Sequence, residues 1–144
     1  MINFQLPDSR SMEQALKNDP QELARLFFLR GLDYEETGDL VRAIDDYDTA
    51  LRISPGNAQV IYRRGLAFSR KGDLDRAVLN FNEALRADAG FIDALYARAG
   101  VWANKRRFDL AIEDYDAILR LDPKNMQAIN GRKNILGKEF FAAA

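Results

Sequence analysis

The sequence has 144 residues, 47% of them hydrophobic, enough apolar side chain to bury a core in one domain. Twenty-one basic residues against 22 acidic ones leave a net charge of -1, with no long-range field to draw in nucleic acid or an anionic membrane. There is no Cys and no His, which excludes thiol nucleophiles, disulfides, imidazole bases and the usual zinc, copper or haem ligands, so neither an enzyme nor a cofactor site is expected.

In chain order, residues 1–10 read as an extended segment, in which MINFQLP alternates apolar Ile2, Phe4 and Leu6 and ends at Pro7. It has neither the basic first region nor the apolar run of a leader, and no segment of the chain is apolar for the length of a membrane span, so a cytoplasmic, soluble protein is expected. QALKNDP at 14–20 echoes TALRISP at 49–55, which makes 11–18 the second helix of an incomplete repeat. Its Met12, Ala15 and Leu16 are expected to cover Leu26.

GDLVRAIDDYDTALRISPGN at 38–57 reappears as GDLDRAVLNFNEALRADAGF at 72–91 and as RRFDLAIEDYDAILRLDPKN at 106–125, a period of 34 residues. Ala43, Ala77 and Ala111, then Tyr47, Phe81 and Tyr115, then Leu51, Leu85 and Leu119 stay apolar at spacings of four, which means a helix. A second helical stretch precedes each copy, with columns Phe27, Ile61 and Leu95, then Gly31, Gly65 and Ala99, then Tyr34, Phe68 and Trp102. The units are therefore helix pairs over 24–57, 58–91 and 92–125.

Gly38-Asp39 and Gly72-Asp73 supply a residue tolerant of positive φ and then an N-cap carboxylate. Pro55 and Pro123 end the second helices, and Asn57 and Asn125 cap the next ones. In the third unit Arg106-Arg107 replace Gly-Asp, so that turn loses its permissive residue and its cap and is expected to be the most mobile. Gly31 and Gly65 sit inside helices at a cost of about 1 kcal/mol each, which close backbone approach of the Ala43 and Ala77 helices would offset. Ile118 replaces Ala50 and Ala84, and a looser fit is expected there.

Residues 126–139 place Ile129 and Leu136 in the columns of Phe27 and Tyr34, with Lys133 where a small buried residue stood, the pattern of a terminal capping helix. A tail, 140–144, follows, in which Phe140 and Phe141 either fold back on the last repeat or make a self-association contact.

A lone helix pair cannot bury both faces, so repetition builds a core by stacking. The order apolar, small, aromatic, Ala, aromatic, Ala, Pro, with its 34-residue period, resembles the tetratricopeptide repeat over 24–125. The resemblance implies an all-α fold, a right-handed superhelical α-solenoid of three tetratricopeptide repeats with a short N-terminal helix and a capping helix. It also implies that the first helix of each pair lines a concave groove holding a peptide or a partner's helix. Carried onto this chain, the peptide-binding residues are Arg25, Phe28, Leu29 and Leu32, then Gln59, Tyr62, Arg63, Leu66 and Arg70, then Tyr96, with Asn130 and Asn134 from the cap. Phe28, Tyr62 and Tyr96 form an aromatic ladder with arginines at its margin, the residue types that dominate binding hot spots. The bland alternative is that they only pack against one another.

Relatives that grip a chaperone's C-terminal carboxylate use Lys and Asn at positions matching Phe28 and Leu32, Asn at Arg63, and Lys and Arg at Asp93 and Ala97. Apolar side chains cannot solvate a carboxylate and Asp93 would repel it, so no such clamp is expected. Glu35-Glu36 and Asp45-Asp46 point in diverging directions and read as solvated helix surface, and no acidic run has the spacing of a calcium loop. Arg63-Arg64, Arg70-Lys71 and Lys105-Arg106-Arg107 are interleaved with acids and match no nucleic-acid motif, and no phosphate loop is present. The expected function is a non-enzymatic protein-protein interaction scaffold. The alternative is a homo-oligomeric assembly module whose groove takes residues 1–7 of its own or a neighbouring copy.

Overall fold

The computed structural model describes residues 8–143, and their side chains as far as 138. The readings of residues 1–7, and of the Phe140 and Phe141 side chains, lie outside the described residues. Eight helices follow in order: α1 Ser9–Asn18, α2 Pro20–Glu36, α3 Leu40–Ile53, α4 Ala58–Arg70, α5 Leu74–Ala87, α6 Ile92–Asn104, α7 Phe108–Leu121 and α8 Met126–Ala143. Contacts gather into two compact units, one running to Ala87 and one from Asp88. In the first, α2 packs on α3, α3 on α4 and α4 on α5, with α1 on α2; in the second, α6 packs on α7 and α7 on α8. Among the described residues no helix is long and apolar enough to cross a membrane.

Local chemistry sets the helix ends. Asp39 Oδ1 accepts from the Arg42 N–H and Asp73 Oδ1 from the Arg76 N–H, while Gly38 and Gly72 hold φ of 85° and 83° in the turns before them. Asn57 and Asn125 accept from the N–H groups of Val60 and Ala128 as N-caps. The third turn keeps the same shape without the glycine: Arg106 stands at φ 60°, and Arg107 at the N-cap makes no side-chain capping bond. α1 starts at Ser9, inside the segment expected to be extended, because Asp8 Oδ1 accepts from the Ser11 N–H. α2 starts at Pro20, ahead of the repeat boundary at 24, because Asp19 caps it and proline suits the first turn. α8 runs past 139 to Ala143, through the expected tail, because no proline or Gly-Asp pair interrupts it.

The apolar columns are the core. Ala43, Tyr47, Ala77, Phe81, Ala84 and Ala111 are fully buried, and Ala50 and Tyr115 nearly so. Each large ring contributes on the order of 2 kcal/mol through burial. The glycine column serves the aromatic column: a Cβ on Gly31 would stand 2.5 Å from Tyr47 Cε1, and one on Gly65 2.7 Å from Phe81 Cε1. The partner helix's ring, ahead of its backbone, fills the space that the missing side chain leaves. Ile118, larger than the alanines it replaces, is 0% exposed on α7, which packs on α6 and α8. In the cap the buried residues are Ala128 and Ile135, whereas Leu136 is 41% exposed. On α1, Ala15 is buried as expected but Leu16 is 66% exposed, since α1 meets α2 only along the Ala15 side.

A charged ladder accompanies the core. Arg30 donates to both carboxylate oxygens of Asp46 at 2.7 and 2.8 Å, and Arg98 to both of Asp114 at 2.9 and 2.6 Å. Arg64 spans Asn80 and Asp48, both at 2.7 Å, and Arg132 reaches Asp116 at 2.7 Å. Asp46 and Asp114 are buried, which corrects the reading of the Asp45-Asp46 pair as wholly solvated; Asp45 is the exposed member. Buried carboxylates persist there because each is held in a two-pronged guanidinium pair.

Candidate functional site

In the first unit, residues of α2 and α4 line a groove, and a separate hollow lies among α2, α3 and α4. Leu32, Glu35 and Glu36 of α2 and Arg63 and Arg70 of α4 line a cavity of about 330 Å³. Arg25 and Phe28 share a smaller one, about 110 Å³, with Ala24 of α2, Ala50 of α3, Ser54 just after α3 and Val60 of α4. Arg25 and Leu32 stand seven positions apart, two helical turns, so they lie on one side of α2.

The aromatic ladder stands on the core. Phe28 lies 5.9 Å from the Tyr47 ring, Tyr62 lies 6.0 Å from Phe81 and, in the second unit, Tyr96 lies 6.0 Å from Tyr115. Phe28 and Leu32 also pack on the cluster of Ala43, Ile44, Tyr47 and Val60. Phe28 and Tyr62 are half-buried, and Tyr96 is 39% exposed. Leu29, Tyr62 and Leu66 are half-buried, and Gln59 is exposed on α4. Asn130 and Asn134 are exposed on α8, in the second unit.

None of the three expected arginines presents a bare charge. Arg25 is bidentate to Glu22 of its own helix, at 2.8 and 2.6 Å, and that bond holds the Glu22 carboxyl below its ordinary range. Arg63 Nη1 and Arg70 Nη1 both stand 3.7 Å from Glu35 Oε1, and Arg70 Nη1 also donates to the Glu35 carbonyl at 3.1 Å. Glu35 is therefore the residue that sequence reasoning missed: it was placed with solvated surface, yet it is 7% exposed and accepts from the Tyr47 hydroxyl at 2.6 Å. Burial, then the bond to Glu35, pushes the Tyr47 phenol well above its ordinary value. At 3.7 Å the arginines pair with the Glu35 carboxylate by charge without a hydrogen bond to it, and Arg63 Nε is buried without an acceptor. Such a donor costs about 1–3 kcal/mol until something accepts from it. The groove can seat an apolar side chain at Leu32 and offers guanidinium donors at its rim.

Two family models, both described as Tetratricopeptide repeat, match residues 24–57 and 62–125, together more than half of the chain. The chain belongs to the tetratricopeptide repeat family, and its fold is the expected all-α class of stacked helix pairs. No curated protein matches its sequence. Among solved structures it is similar to the first TPR of Spaghetti (RPAP3) bound to the HSP90 peptide SRMEEVD, at 24% identity and TM-score 0.77, over 82% of this chain and 94% of that one. It is also similar to the Arabidopsis OM64 TPR domain, at 20% identity and TM-score 0.78, over 83% and 98%. The second TPR domain of the human RPAP3 protein, in complex with the HSP70 peptide SGPTIEEVD, matches at 23% identity and TM-score 0.75, over 81% and 97%. At these identities the likeness speaks to the fold.

Proposed function

We infer that this chain is a non-enzymatic scaffold that holds a short peptide segment or helix of a partner protein along α2 and α4. The observation that carries the reading is the cavity where Leu32, Glu35 and Glu36 of α2 face Arg63 and Arg70 of α4, with the half-buried rings of Phe28 and Tyr62 on the same helices. An apolar partner side chain sits at Leu32, and a carbonyl or carboxylate of the partner accepts from Arg63 and Arg70. The exposure of the Arg63 and Arg70 side chains, 37% and 50%, supports this, because it leaves guanidinium donors within a ligand's reach. Tyr96, Asn130 and Asn134, expected in the same set, stand on helices of the second unit.

Structures of similar fold hold the acidic peptides SRMEEVD and SGPTIEEVD, which favours a peptide as the ligand class here. The grip differs: Phe28 and Leu32 offer no donor to a terminal carboxylate, so the chain does not bind chaperone tails through a carboxylate clamp. The test is Tyr62→Ala with Leu66→Ala, assayed by pull-down against the intact chain. Loss of a captured partner from a folded variant is the expected result, and unchanged capture refutes the groove.

A further inference from the structure

Arg63 and Arg70 differ from the arginines of the charged ladder. Arg30, Arg64, Arg98 and Arg132 recur at the repeat period, and their guanidinium groups are spent on Asp46, on Asn80 and Asp48, on Asp114 and on Asp116. Arg63 and Arg70 stand off that pattern: Leu29 and Ala97 hold the place of Arg63 in the neighbouring repeats, and Glu36 and Asn104 that of Arg70. The helix pair is built without an arginine at either place.

One carboxylate oxygen collects both. Arg63 Nη1 and Arg70 Nη1 each stand 3.7 Å from Glu35 Oε1, while Oε2 of the same group accepts from the Tyr47 hydroxyl. Among the described residues Arg63 donates no hydrogen bond, and Arg70 donates only to the Glu35 carbonyl. Glu36, the other acid on this hollow, is exposed and pairs with neither arginine. Two guanidinium groups therefore share one carboxylate, and one positive charge at their tips is unmatched. A second carboxylate on the open side of the pair completes an alternating set, each acid facing a guanidinium group, and takes up donors that the protein leaves unused.

We propose that the hollow at Leu32 recognises an acidic side chain of the partner segment, Asp or Glu, held between Arg63 and Arg70 and next to an apolar residue on Leu32. This rests on the groove reading above and narrows its ligand to an acidic peptide. Glu35 is the positioning residue: anchored on Tyr47, it gathers both guanidinium groups without consuming their donors. A side chain is favoured over a chain terminus because Phe28 and Leu32, on the facing helix, carry no donor to help hold one.

Three peptides titrated into the isotope-labelled intact chain, followed through the amide shifts of Leu32, Arg63, Leu66 and Arg70, test this. Acetyl-Ala-Leu-Glu-Leu-Ala-amide is expected to bind about fivefold more tightly than the same peptide with Gln in place of Glu, as a half-exposed charged hydrogen bond gives. The advantage shrinks as salt is raised and vanishes in the Arg63→Gln/Arg70→Gln chain. Equal affinity for the Glu and Gln peptides, with the groove amides shifting in both, overturns the acidic preference and leaves the groove reading standing. Acetyl-Ala-Leu-Gln-Leu-Ala with a free terminal carboxylate, if it binds as tightly as the Glu peptide, gives the site to a chain terminus and overturns the proposal as well. So does the absence of shifts with all three, after which the pull-down with Tyr62→Ala and Leu66→Ala decides the groove by itself.

Discussion

The hydroxyl of Tyr47 donates to Oε2 of Glu35 across 2.6 Å, tying the fully buried ring of the first helix pair to the wall of the groove. The phenol's affinity for its proton is raised by burial first and by this bond second. Tyr115 is raised too, by burial, then by Tyr96 and Asp114. A group whose folded pKa is raised lends stability that is fully present below the unfolded value of 10.0 and is lost as pH climbs beyond it. Unfolding free energies from urea titrations between about pH 8 and 11 are therefore expected to stay level at first and then fall, by up to ~1.4 kcal/mol per pH unit for each tyrosine. Tyr47→Phe removes part of that slope and costs about 1–3 kcal/mol at neutral pH, since Glu35 is left without its donor.

Replacing Glu35 by Gln keeps an oxygen to accept from Tyr47 but releases Arg63 and Arg70 from their shared charge. An acidic probe peptide is expected to bind the Glu35→Gln chain several-fold more tightly than the unsubstituted chain, with the gain eroding as salt is raised. Isothermal titration at two salt concentrations reads both effects. Equal affinity for the two chains means that the guanidinium groups do not face a ligand.

The helical glycines divide by what faces them. Gly65→Ala thrusts a methyl to within 2.7 Å of Phe81 Cε1 and is expected to destabilise the fold by about 1–3 kcal/mol, despite alanine's better helix propensity. Gly100, in α6, has nothing within 4 Å of a Cβ, so Gly100→Ala is expected to stabilise by about 0.5–1 kcal/mol. Thermal unfolding of the two variants gives shifts of opposite sign.

Arg106 occupies a left-handed conformation, φ 60°, where Gly38 and Gly72 stand in the earlier turns. Arg106→Gly relieves a cost of about 1–2 kcal/mol, set against the loss of its guanidinium from the Phe108 ring, 5.6 Å away. A modest rise in the denaturation midpoint is expected, and a further rise of about 1 kcal/mol when Arg107→Asp restores the missing cap.

Much of this was written in the chain. Caps at Asp39, Asp73, Asn57 and Asn125, the Tyr47, Phe81 and Tyr115 column and the helix pairs follow from spacings of three and four residues and from turn chemistry, which act over a few residues and need no distant partner. The ladder was legible too: Arg30, Arg64, Arg98 and Arg132 recur at the same 34-residue period, with Asp46, Asn80 and Asp114 sixteen positions on from the first three. Charge hid it, because an Asp-Asp pair reads as surface until one member is known to face an arginine.

Glu35 was not legible. Its counterparts in the next repeats are Ser69 and Ala103, so the period marks no column there. Its burial comes from α4 arriving beside α2 and bringing Arg63 and Arg70, 28 and 35 residues further along the chain, to the same carboxylate. The burial of Ile118 and the exposure of Leu16 were decided in the same way. Repeat, helix and turn are short-range properties that the sequence sets by itself; which polar group is buried, and which apolar one is left bare, depends on how the helices meet, because solvent is excluded only where two surfaces close on each other.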